Sequence, residues 1–394
     1  MGRPDKLKAP IFFFQFLIIL IFSIQISSCG TTGNLPQKGE NANISEKVQL
    51  QSELTMLFAG DIMAHKPNYS NPDFDRIWRD LKSLLSSADL AFANVEAPVA
   101  NQLPWSTYPQ FNMHPEYVEA AIRAGFNVFS LANNHTNDQY LEGIQATKKY
   151  FDGRKGIWAC GLKEKSGGEL SYKIIEKNGF KVLFVAVTEI LNRNDYASYI
   201  DYYPSTEKKR SQLIDELKGL QEKSNADLFV LSVHTDEPEY VLKVTEDHRN
   251  FFRKIISECR VNIIWANHPH VAKIFEETDE GSFIMYANGN TISAQRTSPQ
   301  FSAPETSRDF TGEGLVIKIK ASKMSDGSVI LGEYEPHLIT TYITPGWQFV
   351  VKVLDDDFIA ALDRAEVTGW AKYLRERKKI MEKALEPGFS NKRQ

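Results

Sequence analysis

The sequence predicts a layered α/β domain. Short apolar runs of strand length recur from Leu54 onward, and amphipathic stretches of helical period separate them. With 42% hydrophobic residues in 394, the chain has enough apolar side chains to fill a core shared by both kinds of element.

Taken in order, Leu54 to Ala59 reads as a buried strand, and Phe74, Ile77, Trp78, Leu81, Leu84 and Leu85 mark one helical face. Leu90 to Ala93 is strand-like. Pro115 suits the first turn of a helix carrying Val118, Ala121 and Ile122, and Gly125 is placed to end it. Val128 to Ala132 is the next strand, and Tyr140 to about Phe151 the next helix. Asn178-Gly179 between two apolar runs is a hairpin signal, because both residues tolerate positive φ. A helix with Leu213, Ile214, Leu217 and Leu220 follows, and strands Leu228 to Val233 and Val261 to Trp265 bracket another near Phe251 to Cys259. Phe283 to Tyr286, Leu315 to Ile319 and Val329 to Leu331 read as late strands, with Asp326-Gly327 a turn. The tail from about Phe358 to Ala384 is helical and charged.

Four regions are expected. Arg3, Lys6 and Lys8 precede an apolar run from Ile11 to Ile26, which ends in Ser27-Ser28-Cys29. Residues 1–28 therefore read as a signal peptide with a lipobox-like end and Cys29 as a lipidation site, the alternative being a retained membrane anchor. Residues 29–52, rich in Gly, Asn, Gln and Ser, read as a flexible tether, 53–345 as the folded domain, and 346–394 as a largely helical C-terminal extension. These assignments place the chain on the exported side of a cell envelope, held to a membrane by lipid. A formal net charge of −4 argues against nucleic-acid binding, which needs a concentrated basic surface. An oxidising, exported compartment permits Cys160 and Cys259 to pair, although nothing in the spacing requires it; two buried free thiols are the preferred reading.

The chemistry lies where polar residues follow strands. Asp61, Glu96, Asn134-His135, His234 and His268-Pro269-His270 each come directly after a predicted strand, and in an α/β sheet the carboxyl ends of strands share one rim. Singly, each also reads as a turn, cap or loop residue. Together, carboxylates, an amide carbonyl and neutral imidazoles suit a divalent ion such as Mn, Fe or Zn.

In order and spacing, Gly60-Asp61-Ile62-Met63, Asn94-Val95-Glu96-Ala97-Pro98, Asn133-Asn134-His135, His234 with Glu239-Tyr240 downstream, His268-Pro269-His270-Val271 and Asn288-Gly289-Asn290 resemble the motifs of the CapA family, over roughly Leu54 to Ser293. The resemblance implies a metallophosphatase-like, calcineurin-like phosphoesterase fold, two sheets packed face to face with helices outside. It also implies a role in capsule or poly-γ-glutamate biosynthesis, with an anionic envelope polymer or its precursor, and other capsule-synthesis proteins, as partners. Carried over, Asp61 and His270 would hold a first metal, Glu96 would bridge, and Asn134, His234 and His268 would hold a second. His135 would protonate the leaving group or steady the transition state.

One departure stands out: phosphoesterases usually carry a histidine two residues after the first aspartate, and here that position is Met63. His65, two residues on, is a candidate substitute. Two functions follow, a metal-dependent hydrolase or a non-catalytic, polymer-binding accessory subunit. No substrate-binding residue is assigned. Trp105, Tyr108, Tyr196, Tyr199, Tyr202 and Tyr203 either wall a substrate site or anchor their loops to the core.

Overall fold

A computed structural model describes residues 48–386 and 388. The expected signal peptide, the expected lipidation site Cys29 and most of the expected tether lie outside the described residues. Fourteen strands form two sheets: β1 (Leu50–Ile62), β2 (Leu90–Val95), β3 (Val128–Ser130), β4 (Trp158–Cys160), β5 (Tyr172–Lys177), β6 (Phe180–Thr188), β7 (Leu228–His234), β8 (Ile263–Asn267), β9 (Phe275–Glu277), β10 (Phe283–Met285), β11 (Asn290–Ile292), β12 (Glu313–Met324), β13 (Val329–Ile343) and β14 (Phe349–Val353). The first sheet runs β14-β13-β12-β1-β2-β3-β4, with β11 also pairing β1; the second runs β5-β6-β7-β8-β10-β9.

Strand alternation builds three apolar layers. Leu54, Met56 and Phe58 of β1, Leu90 and Phe92 of β2, Val230 of β7 and Trp265 of β8 meet between the sheets. Leu57, Ala59, Ala91 and Ala93 face the other way. They pack under the helices Pro115–Ala124 and Tyr140–Phe151 through Tyr117, Val118, Ala121, Ile144 and Phe151. On the outside of the second sheet, Leu183, Val185, Leu231 and Val233 meet Leu213, Leu217, Phe252 and Ile255 of the helices Glu207–Ser224 and Glu246–Cys259. This is the two-sheet, helix-flanked α/β architecture expected.

Several local expectations hold for their stated reasons. Gly125 closes its helix at φ 132°, and Asn178-Gly179 turns the β5–β6 hairpin with both φ angles positive. The face from Phe74 to Leu85 is not one helix: it breaks into single turns, Asp75–Trp78 and Lys82–Leu85, whose apolar side chains still enter the outer layer.

The chain boundaries differ from the expected ones at both ends. β1 starts at Leu50, inside the expected tether, because Leu50 and Ser52 pair with Met324 and Lys323 of β12. The region after 345 begins with a strand of the first sheet, since β14 pairs β13 from Phe349 to Val353. Its helices Asp356–Arg364 and Thr368–Ala384 send Ile359, Leu362, Ala371, Leu374 and Met381 into the inter-sheet core. Arg377 of the last helix is fully buried against Glu313 at 2.7 Å, and Glu313 also pairs with Arg296.

Both described cysteines are buried and free. Burial pushes the thiols up, to about 12 for Cys160 and about 11 for Cys259.

Candidate metal centre

The parallel strands of both sheets end on one rim. Asp61 closes β1, Glu96 follows β2, Asn134 and His135 follow β3, His234 closes β7, and His268 and His270 follow β8. Strand alternation explains two of these placements. Glu96, with Asn94 before it, continues the inward parity of Leu90 and Phe92, and His234 continues that of Val230.

Asp61 needs a further device, because regular alternation after Ala59 would turn it outward. The pairing of β1 with β2 shifts register between Phe58 and Asp61, a bulge that re-aims the chain. Gly60 makes room for it: a Cβ there would stand 1.8 Å from the Gly289 carbonyl oxygen, which accepts from the Asp61 amide at 2.9 Å.

All seven expected residues meet at this rim. Asp61 Oδ1 accepts from Asn94 Nδ2 at 2.8 Å, and Asp61 Oδ2 lies 3.4 Å from His270 Nδ1. Glu96 Oε1 lies 3.6 Å from His270 Nε2 and 4.0 Å from His234 Nε2. His234 Nε2 lies 2.9 Å from Asn134 Oδ1 and 3.2 Å from His268 Nδ1. His135 stands beside them, its Nδ1 2.6 Å from Asp138 Oδ2 and its ring edge-on to Phe111.

The donor chemistry suits a divalent cation. Asp61, Glu96 and His234 each offer a ligand atom within 4.8 Å of the others. Asp61 Oδ2 and Glu96 Oε1 are buried with no hydrogen-bond donor among the described residues. An unsatisfied buried polar atom costs about 1–3 kcal/mol, more when charged, and a cation would remove that cost for both. Burial, then the charge of Asp61, raises Glu96 well above the ordinary carboxylate range. Burial, then neighbouring histidines, lowers His234 well below 6.5 and His268 to about 3. These two shifts favour the neutral imidazole, the form that ligates a metal.

Met63 takes no part in this cluster. It is buried in the outer apolar layer, on the side of the sheet away from the rim, with its carbonyl accepting from Tyr117. His65 does reach the edge of the site: its ring sits edge-on to Phe111, 5.0 Å between centroids, and its Nδ1 accepts from the Ala294 amide at 3.3 Å. Burial lowers it to about 3.

Sequence reasoning gave no role to the residues that hold the ligands. Asn94 donates to Asp61 and, at 3.3 Å, to Glu96; Asn290 Oδ1 lies 3.1 Å from His270 Nδ1; Asp138 and Asn192 flank His135. The spacing of Asn94 two before Glu96, on one face of a strand, was the available signal. Among the loop aromatics, Trp105 stacks on Tyr69 and His114, Tyr199 and Tyr202 pack on the core, and Tyr203 is buried within it. Tyr108, at 73%, and Tyr196 are exposed.

A second group of similar composition lies behind the rim. His248 Nε2 contacts Glu189 at 2.6 Å and Asp236 at 3.3 Å, and its Nδ1 lies 3.1 Å from Glu237. Here the acids are already answered: Arg210 binds Glu189, and Lys273 Nζ donates to Glu237 at 2.5 Å. Burial works to lower His248, but its hydrogen bonds to the Glu189 and Glu237 carboxylates outweigh it and raise it to about 9. It is a charged ion-pair network and a poor metal site.

Residues 55–295, more than half of the chain, match the family described as bacterial capsule synthesis protein PGA_cap. The chain belongs to that family. Membership bears out the resemblance read from the motifs. Capsule biosynthesis protein CapA of Bacillus anthracis is 27% identical over 251 residues, covering 61% of this chain. The chain spans 60% of that relative's length. An uncharacterized Sinorhizobium fredii protein is 28% identical over 131 residues, 31% of this chain and 27% of its own. Among solved structures, a hypothetical Thermus thermophilus protein superposes with a TM-score of 0.46 at 17% identity, covering 72% of this chain and 98% of its own. A putative 5'-nucleotidase of Staphylococcus aureus does so with a TM-score of 0.43 at 11%, covering 78% and 55%.

Proposed function

We propose that this PGA_cap protein is a metal-dependent hydrolase of the cell envelope that cleaves a phosphoester in an anionic capsule or poly-γ-glutamate polymer or its precursor. The observation that carries the reading is the pair of buried, donorless carboxylate oxygens, Asp61 Oδ2 and Glu96 Oε1, facing the His270 ring. Asp61, Glu96 and His270 would hold one cation, and Glu96, Asn134, His234 and His268 a second, with Mn, Fe or Zn suited to that donor set. Such ions lower the pKa of bound water and draw charge from a phosphoryl group. His135 moves the proton: Asp138 accepts from Nδ1 and so leaves Nε2 to serve the leaving group. Asn94 orients the carboxylates. A signal peptide ending before Cys29, with lipid on that residue, would put the site on the exported side of a membrane, among other capsule-synthesis proteins.

The accessory-subunit reading is favoured by one observation, the withdrawal of Met63 into the outer apolar layer, which leaves one metal-site histidine of phosphoesterases without a counterpart. One experiment separates the two. The full chain, purified in detergent and metal-replete, is assayed against a phosphomonoester and phosphodiester panel beside His135→Ala. The hydrolase reading expects turnover that falls by about 10²–10⁴-fold in the variant with metal content unchanged. A metal-replete wild type inert across the panel would leave the accessory role.

A further inference from the structure

Over the rim of the metal centre stands a cation with no counter-ion. Arg308 belongs to the one-turn helix Ser307–Phe310, and its guanidinium carbon lies 4.6 Å from the centre of the Tyr240 ring. Tyr240 in turn stacks on His270, 6.2 Å between centroids and 28° between planes. The three groups form a column leading outward from the candidate ligand His270. Arg308 is exposed, and among the described residues no carboxylate lies within ion-pair distance of it.

Rigid parts hold the column in place. Thr306 and Asp309 close a capping box on the short helix, and the Tyr373 hydroxyl donates to Asp309 at 2.5 Å, pinning it to the C-terminal helix. Tyr240 adopts a left-handed φ of 63°, a costly conformation for a bulky side chain, and its amide donates to the Pro269 carbonyl at 2.9 Å. Glu239 flanks the Tyr240 hydroxyl on its other side, so an anion meets attraction from the arginine and repulsion from the glutamate.

We propose that Arg308, backed by Tyr240, is an anion subsite at the rim of the metal centre, taking a carboxylate or phosphate group of the substrate separate from the group held at Asp61 and Glu96. A guanidinium stacked on a ring presents its fork of donors outward, the geometry that binds planar carboxylates and phosphates bidentately. This rests on the reading of the rim as a metal-dependent site for an anionic polymer.

The test is calorimetric titration of the full chain with a short γ-linked glutamate oligomer and with inorganic triphosphate, with and without Mn²⁺, for wild type, Arg308→Gln, Arg308→Lys and Tyr240→Phe. Binding of at least one probe weakens roughly tenfold in Arg308→Gln and less in Arg308→Lys, with thermal midpoint and metal content unchanged. Loss confined to the oligomer assigns a carboxylate, and loss confined to triphosphate a phosphate. Equal binding by wild type and Arg308→Gln, or no binding of either probe to wild type, overturns the subsite. A chain that takes up no metal yet loses affinity in Arg308→Gln would remove the metal-dependent function and leave the subsite standing.

Discussion

Two histidine–carboxylate clusters lie on neighbouring strand ends of this molecule and behave in opposite ways. At the rim, the lowered imidazoles of His234 and His268, with His270, lie beside Asp61 and Glu96, each of which has a carboxylate oxygen without a donor among the described residues. Behind it, Glu189, Asp236 and Glu237 surround a His248 raised to about 9. Residue types do not distinguish them. The surrounding cations do: Arg210 and Lys273 answer the second set of acids, while among the described residues no lysine or arginine pairs with the rim carboxylates, which meet the amide of Asn94 and the rings of His234 and His270. Saturated acids make a brace, and unsaturated ones make a receptor for a cation.

Metal analysis is the strongest way to break that contrast. Asp61→Ala or His234→Ala should remove stoichiometric metal from the full chain, whereas Glu189→Gln should leave it bound; elemental analysis of the purified variants decides, and equal loss in all three would merge the clusters into one function. Stability should invert the pattern. His248→Ala leaves two buried carboxylates short of a partner and should cost about 3–5 kcal/mol in denaturant unfolding, with metal retained in the folded fraction.

The pH dependence sharpens the contrast further. His248 has a folded pKa above its ordinary 6.5, so its contribution is present below 6.5 and lost as pH rises to about 9, a change of at most about 3 kcal/mol. His268 has the opposite sign. Its folded pKa of about 3 means that the unfolded chain binds the proton first, so metal-free stability falls as pH drops from 6.5 toward 3. Unfolding of metal-free protein across pH 4 to 9 should therefore decline at both ends, with His248→Gln losing only the alkaline limb. The smallest effect is expected at Asn94→Ala, which leaves every ligand in place but loosens their orientation; metal affinity should fall about 10–100-fold by competition with a chelator.

How much of this was legible in the sequence depends on periodicity. Glu96 and His234 were readable because each continues the parity of an apolar strand, and the rim followed from the rule that parallel strands converge at their carboxyl ends. Asp61 sits on that rim only through a bulge, which needs Gly289 of a distant strand against Gly60 and so leaves no local trace. Met63 looked like a damaged ligand because its position was counted along the chain, when the side chain points to the other face. The His248 network was missed for a related reason: its members come from the segments after β6, β7 and β8 and from two helices, and no spacing unites them. β14 and the buried Arg377 likewise went unseen, since a charged amphipathic tail reads as surface until its partner, Glu313, is located.

The order of the strands has a consequence for how the chain is made. β1 is the first strand to emerge, yet it sits in the middle of its sheet, with β12 on one edge and β2 on the other, and Leu50 pairs with Met324. For most of synthesis its edge toward β12 therefore stays open to wrong partners, and the buried charge of Glu313 waits longer still for Arg377. A fold of such long-range pairing closes late and slowly. Nearly all of the described chain must be released before the centre of this sheet is protected.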